Sequence, residues 1–167
     1  MHETSSISGL AKPEAYAELN RQLAAVLEGE RSGMANAANT AALLFGLLPD
    51  LNWAGFYFMQ GGELVLGPFQ GKVACVRIAV GRGVCGSAVL RRETLVVPDV
   101  NLFPGHIACD SASRSEVVVP LVSGSAVIGV LDLDSPTPGR FDGDDAAGVA
   151  EAARIFMAAS DLGRLHP

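Results

Sequence analysis

The feature that most limits what this chain can fold into is a hairpin in its last third. Residues 116–122 form an apolar, β-branched run, Ser123-Gly124-Ser125 is a turn, and residues 126–134 form a second, longer strand. The second strand is mostly apolar, which predicts a central place in a sheet. A further turn, Gln60-Gly61-Gly62, joins strand-like runs at 51–59 and 63–66, so the sheet is built from hairpins and is antiparallel.

Helical periodicity brackets the strands. Pro13 opens a pattern in which Tyr16, Leu19, Leu23 and Val26 or Leu27 recur at three- and four-residue spacing, with Gly29 as a stop. A second helix is predicted over 31–48, with Met34, Ala37, Ala41 and Leu44 as its apolar stripe and Pro49 as its end. A terminal helix is predicted over 142–162, with Val149, Ala153 and Phe156 facing inward. Residues 67–77 show little periodicity. The glycine-rich 81–87 leads into a short helix at 87–91, followed by a strand at 94–97 and a long loop over 99–115. The order predicts an α+β fold, an antiparallel sheet with helices packed on one face and a loop-built pocket on the other. Residues 1–11 are expected to be a flexible leader and 12–163 a single domain.

With 167 residues, 49% of them apolar and only 18% charged, the chain has the makings of a packed core rather than of disorder. Its longest apolar run, 41–48 with Gly46 inside it, is far short of the roughly 20 residues that span a bilayer. The first residues lack the basic and apolar regions of a signal peptide, so a cytoplasmic protein with no membrane role is expected. The net charge is −6 without a basic cluster, which argues against nucleic-acid binding.

The chemistry concentrates in three places. Cys75, Cys85 and Cys109 are an odd number of thiols, each read in or beside a loop, and can be buried hydrophobes, metal ligands or redox groups. Cys109 stands out because small and polar residues crowd around it from His106 to Glu116. His106 and Cys109 lack the second close ligand pair of a zinc site, so no metal is expected. Asp132 and Asp134 alternate with Leu131 and Leu133 on one strand, which puts both carboxylates on one face. Two adjacent carboxylates need a cation or a shared proton, and a substrate ammonium would serve, with Glu116 of the neighbouring strand able to join them. Trp53 and Tyr57 share a strand face, with Gly55 leaving space between their rings. They are core packing or a cavity wall.

Several motifs carry a resemblance: Asn52-Trp53-Ala54-Gly55-Phe56-Tyr57, Leu66-Gly67-Pro68-Phe69-Gln70-Gly71, Gly83-Val84-Cys85-Gly86, Ile107-Ala108-Cys109-Asp110-Ser111-Ala112-Ser113 and Gly129-Val130-Leu131-Asp132-Leu133-Asp134-Ser135. With the three-cysteine spacing, they make the chain resemble the free methionine-(R)-sulfoxide reductases, single GAF-fold domains. The resemblance implies that Cys109 is the nucleophile, Cys75 the resolving thiol that forms an intramolecular disulfide with it, and Cys85 an accessory thiol. It implies that Trp53 and Tyr57 cage the substrate methyl group, while Glu116, Asp132 and Asp134 hold the amine and orient or protonate the sulfoxide oxygen. It also implies no bound cofactor, with reducing equivalents arriving from thioredoxin and ultimately NADPH. The alanine-rich N-terminal helices would either form a homodimer interface or cover the sheet. The competing readings are a non-catalytic GAF sensor of a small ligand and a thiol redox sensor.

Overall fold

The computed structural model describes residues 4–105 and 111–165, the side chain of Arg164 excepted. In chain order the elements are α1 (Lys12–Leu27), α2 (Gly33–Leu47), β1 (Trp53–Gln60), β2 (Glu63–Gly71), β3 (Arg77–Ala79), α3 (Gly83–Arg91), β4 (Leu95–Val97), β5 (Ser115–Ser123), β6 (Ala126–Ser135) and α4 (Gly143–Ala159). The strands form a six-stranded sheet in the order β3-β2-β1-β6-β5-β4, and each neighbouring pair is antiparallel. The apolar β6 lies at its centre, between β1 and β5, as its composition requires.

The two-residue period of the strands separates two cores. Ala54, Phe56, Phe58, Val117, Val119, Leu121, Leu131 and Leu133 face α1, α2 and α4 and form the larger core with Leu19, Leu23, Leu44, Val149 and Phe156. The alternate residues Trp53, Tyr57, Val118 and Val130 face the other way and pack with Val84, Cys85, Ala88 and Val89 of the short α3. The pocket face therefore carries one small helix as well as loops.

The helix-side layer is tied down at α4. Asp142 caps its N-terminus, accepting from the N–H groups of Asp144 and Asp145, and Asp145 reaches back to the Asp142 N–H. The Asp145 side chain is fully buried and accepts from Tyr16 Oη at 2.9 Å and Arg140 Nη1 at 2.9 Å, with Lys12 on its other oxygen. Gly148 lets α1 and α4 approach closely, since a Cβ there would collide with the Tyr16 ring. Ile7 is buried in the same core, and the Ser5 N–H donates to Gln22 Oε1. Among the described residues, no helix is long and apolar enough to cross a membrane.

The structure differs from the sequence reading at several elements, among them β3, a short strand at Arg77–Ala79 that the sequence pattern does not predict. Strand β2 runs to Gly71 instead of stopping at 66, because its register against β1 shifts between Gly55 and Tyr57 and the extra residue is absorbed there. A bulge tolerates Pro68, which cannot donate to a ladder. Helix α3 starts at Gly83 rather than Ser87, with Val84, Cys85, Ala88 and Val89 as its buried stripe, and so Cys85 belongs to a helix, not a loop. Helix α2 starts at Gly33 behind a Ser32 cap, and Met34 lies outside its buried stripe at 47% exposure. That stripe is Gly33, Asn36, Ala37, Thr40, Ala41, Leu43 and Leu44, so Ala37 and Ala41 face the protein interior while Ala35, Ala38 and Ala42 are exposed.

Candidate active site

The pocket face of β1, β6 and β5 is a small grid of cross-strand neighbours. Trp53 pairs with Asp134, which pairs on its other side with Glu116. In the next row Gly55 pairs with Asp132, and Asp132 with Val118. A Cβ at Gly55 would lie 2.7 Å from the Trp53 ring and collide with Phe69. The bare glycine thus makes room for a layered aromatic wall, with ring centroids 5.8 Å apart for Trp53–Tyr57 and 5.3 Å for Trp53–Phe69. The space beside Gly55 is consequently filled by these rings rather than left open between Trp53 and Tyr57.

Above the grid is a cavity of ≈ 540 Å³, counting its open mouth. Trp53, Tyr57, Cys85, Glu116, Asp132 and Asp134 line it, together with Arg82, Val84 and Ser113. The rim continues through Val73 and Ala74 to Cys75, whose carbonyl accepts from Tyr57 Oη at 3.0 Å. Asn52 Nδ2 donates to Ser113 Oγ at 3.0 Å and anchors the segment that enters β5 to the start of β1.

The floor of the cavity holds three titratable groups that are almost wholly enclosed. Cys85 Sγ lies 3.3 Å from Asp132 Oδ2 and 3.9 Å from Glu116 Oε1. Burial raises Glu116 well above the carboxylate range, and the charges of Asp132 and Asp134 add to this. Burial likewise raises Asp132 to about 7, against the opposing effect of hydrogen bonds from Cys85 and Glu116. The arrangement is a neutral Glu116 acid and a neutral thiol, both directed at the Asp132 carboxylate. Burial pushes the Cys85 thiol up, and Asp132 and Glu116 push it further. Among the described residues, two buried polar atoms on the cavity wall have no hydrogen-bond partner: Trp53 Nε1, a donor, and Asp132 Oδ1, an acceptor. A buried polar group costs about 1–3 kcal/mol unless something pairs with it, so both atoms are placed to meet a polar ligand.

The GAF domain family model matches residues 18–159. The free methionine-R-sulfoxide reductase of Escherichia coli strain K12 is 56% identical over 140 residues, 84% of this chain and 85% of that protein. The chain belongs to the free methionine-R-sulfoxide reductase family of GAF-domain proteins. The protein of that name from Saccharomyces cerevisiae is 42% identical over 157 residues, 89% of this chain and 87% of its own. The X-ray structure of free methionine-R-sulfoxide reductase from Neisseria meningitidis in complex with its substrate superposes with a TM-score of 0.93 at 45% identity, covering 98% of each chain.

The structure brings together Trp53, Tyr57, Cys85, Glu116, Asp132 and Asp134 in this cavity and sets Cys75 at its rim. Cys109 lies outside the described residues, as do His106, Ile107, Ala108 and Asp110. Cys75 is half-buried and disulfide-bonded, whereas Cys85 is a free, buried thiol. Among the described residues, the sulfur surrounded by carboxylates is therefore that of Cys85. Sequence reasoning missed Arg82, Val73, Ala74 and Ser113 as lining residues. Only Arg82, a charge set between two glycines at a helix start, carried a readable signal.

Proposed function

We propose that this protein reduces the R-sulfoxide of free L-methionine to methionine, with Cys109 as nucleophile and Cys75 as resolving thiol. The observation that carries the reading is a single cavity combining an aromatic wall, a protonated buried acid and an unpartnered donor–acceptor pair, with a disulfide-bonded cysteine at its rim. The names of the E. coli, yeast and Neisseria relatives support the same substrate.

In this mechanism the Cys109 thiolate attacks the sulfoxide sulfur while the sulfoxide oxygen takes a proton. Methionine departs and Cys109 is left as a sulfenic acid. The Cys75 thiol then attacks the Cys109 sulfur, a disulfide forms, and the oxygen leaves as water. Two thiols thus supply the two electrons. Oxygen is a poor leaving group unless protonated, and Glu116 is the acid that burial keeps protonated for that step. Trp53 Nε1 donates to the oxygen or to the substrate carboxylate, and Trp53 and Tyr57 pack against the methyl group. The substrate ammonium balances Asp132 and Asp134. A peptide-bound residue has no such ammonium, so the site selects the free amino acid. Cys85 tunes the acid pair through its bond to Asp132 and serves as an accessory thiol. Thioredoxin, drawing on NADPH in a reducing cytoplasm, returns the disulfide to two thiols.

The test is to incubate the protein with each epimer of methionine sulfoxide and a dithiol, then measure methionine. Formation from the R epimer alone, with a sulfoxide-containing peptide left unreacted, is expected. No methionine, or equal turnover of the peptide, overturns the reading. Mass spectrometry after one turnover without reductant should find Cys75 linked to Cys109; a Cys75–Cys85 link would overturn the assignment of the resolving thiol.

A further inference from the structure

The floor of the cavity has the dimensions of a site for a thiophilic cation. Cys85 comes from α3, Glu116 from β5 and Asp132 from β6, and one ligand atom from each lies within 4.8 Å of the others. A tetrahedral zinc ion with Zn–S of about 2.3 Å and Zn–O of roughly 2.0–2.2 Å sets its sulfur and oxygen ligands about 3.6 Å apart. The Sγ–Oδ2 and Sγ–Oε1 distances, 3.3 and 3.9 Å, bracket that value. The three side chains converge from elements held by the sheet and its covering helix, so little rearrangement is needed to close around an ion.

A second observation points the same way. Asp132 Oδ1 is buried with no partner among the described residues, on a residue only 5% exposed that lines the cavity. The bonds from Glu116 and Cys85 therefore leave part of the carboxylate unsatisfied. One thiolate and two carboxylates suit zinc or cobalt. Calcium and magnesium prefer six or more oxygens and gain little from sulfur. The expectation of no metal rested on ligand spacing along the chain, and these ligands lie 31 and 47 residues from Cys85.

We propose that Cys85, Glu116 and Asp132 bind a thiophilic divalent cation and that the bound ion excludes the amino-acid substrate from the cavity. Coordination replaces the protons of the thiol and the carboxylic acid, which pass to solvent, and leaves at least one position for water from the cavity. Binding stands on the geometry alone; exclusion of substrate rests on the reading given under Proposed function.

The test uses a Cys75→Ser/Cys109→Ser double variant, in which Cys85 is the only thiol of the three cysteines. Cobalt is titrated in and its thiolate charge-transfer absorption followed; zinc is then measured by competition against cobalt. One ion per chain with a thiolate band is expected. Adding Cys85→Ser should abolish the band and weaken zinc binding by at least the roughly tenfold that even an outer-shell change costs. Asp132→Asn in the double variant should weaken binding similarly, which keeps the test decisive if the triple-cysteine variant does not fold. Absence of the band, or zinc affinity unchanged by these substitutions, overturns the site. In the wild-type protein, zinc should raise KM for methionine sulfoxide and a chelator should reverse the effect. An enzyme that bound zinc with KM unchanged would refute the exclusion. A protein that bound zinc but never formed methionine would refute the functional reading and leave the ion site standing.

Discussion

Replacing Asp132 by Asn should make the protein more stable, and the gain should depend on pH. Asp132 is buried on the cavity floor and titrates at about 7 instead of 3.8. A folded-state pKa above the unfolded value means that the folded state holds extra protons between about pH 4 and 7, so stability falls as pH rises through that window. A shift of about 3 units corresponds to a ceiling of about 4 kcal/mol at pH above 7. Asn removes that penalty but weakens the bonds from Cys85 and Glu116, which are worth roughly 1 kcal/mol each beyond neutral bonds. The expected net gain is about 2 kcal/mol at about pH 8, or roughly 4–8 °C in Tm for a chain of this size, vanishing or reversing at about pH 4. Urea and thermal unfolding of wild type and variant at both pH values, with Cys75 kept in its disulfide, measures it. A difference of the same size at both pH values, or a variant less stable at about pH 8, would refute the account of a strained carboxylate.

Glu116→Gln should cost about 10²-fold or more in turnover of methionine sulfoxide while the protein stays folded, since it deletes the proton and little volume. Wild-type turnover should fall as pH rises through the raised titration of Glu116 and Asp132. A rate that climbs steadily into the alkaline range would contradict an acid role for them. Trp53→Phe keeps an aromatic wall beside Tyr57 and Phe69 but removes the Nε1 donor, so steady-state kinetics should show a higher KM or lower kcat with Tm nearly unchanged. Gly148→Ala drives a methyl into the Tyr16 ring and should destabilise by about 1–3 kcal/mol in urea unfolding, without a change in KM.

The sheet was legible because its strands alternate so clearly. Asp132 and Asp134 against Leu131 and Leu133 placed the carboxylates and the helix-side core on opposite faces. The turns at Gly61-Gly62 and Gly124 declared their hairpins, and all three glycines have positive φ. Strand β2 beyond 66 was not legible. Its pairing depends on a bulge against β1, and no local pattern announces which residue a bulge will absorb. The start of α3 was hidden because Gly81, Gly83 and Gly86 lower helix propensity, while burial of Val84, Cys85 and Ala88 overrides it. The Cys85–Asp132 contact was likewise beyond sequence reasoning. It joins a helix to a strand 47 residues away, and only the packing of α3 on the sheet creates it.

The chain's single tryptophan sits in the wall of the cavity at 3% exposure, layered between Tyr57 and Phe69. Its emission therefore has one origin, and no second indole elsewhere dilutes the signal. Occupation of the cavity, or rearrangement of the rings beside it, should register directly in intrinsic fluorescence, so the protein carries its own optical gauge for ligands.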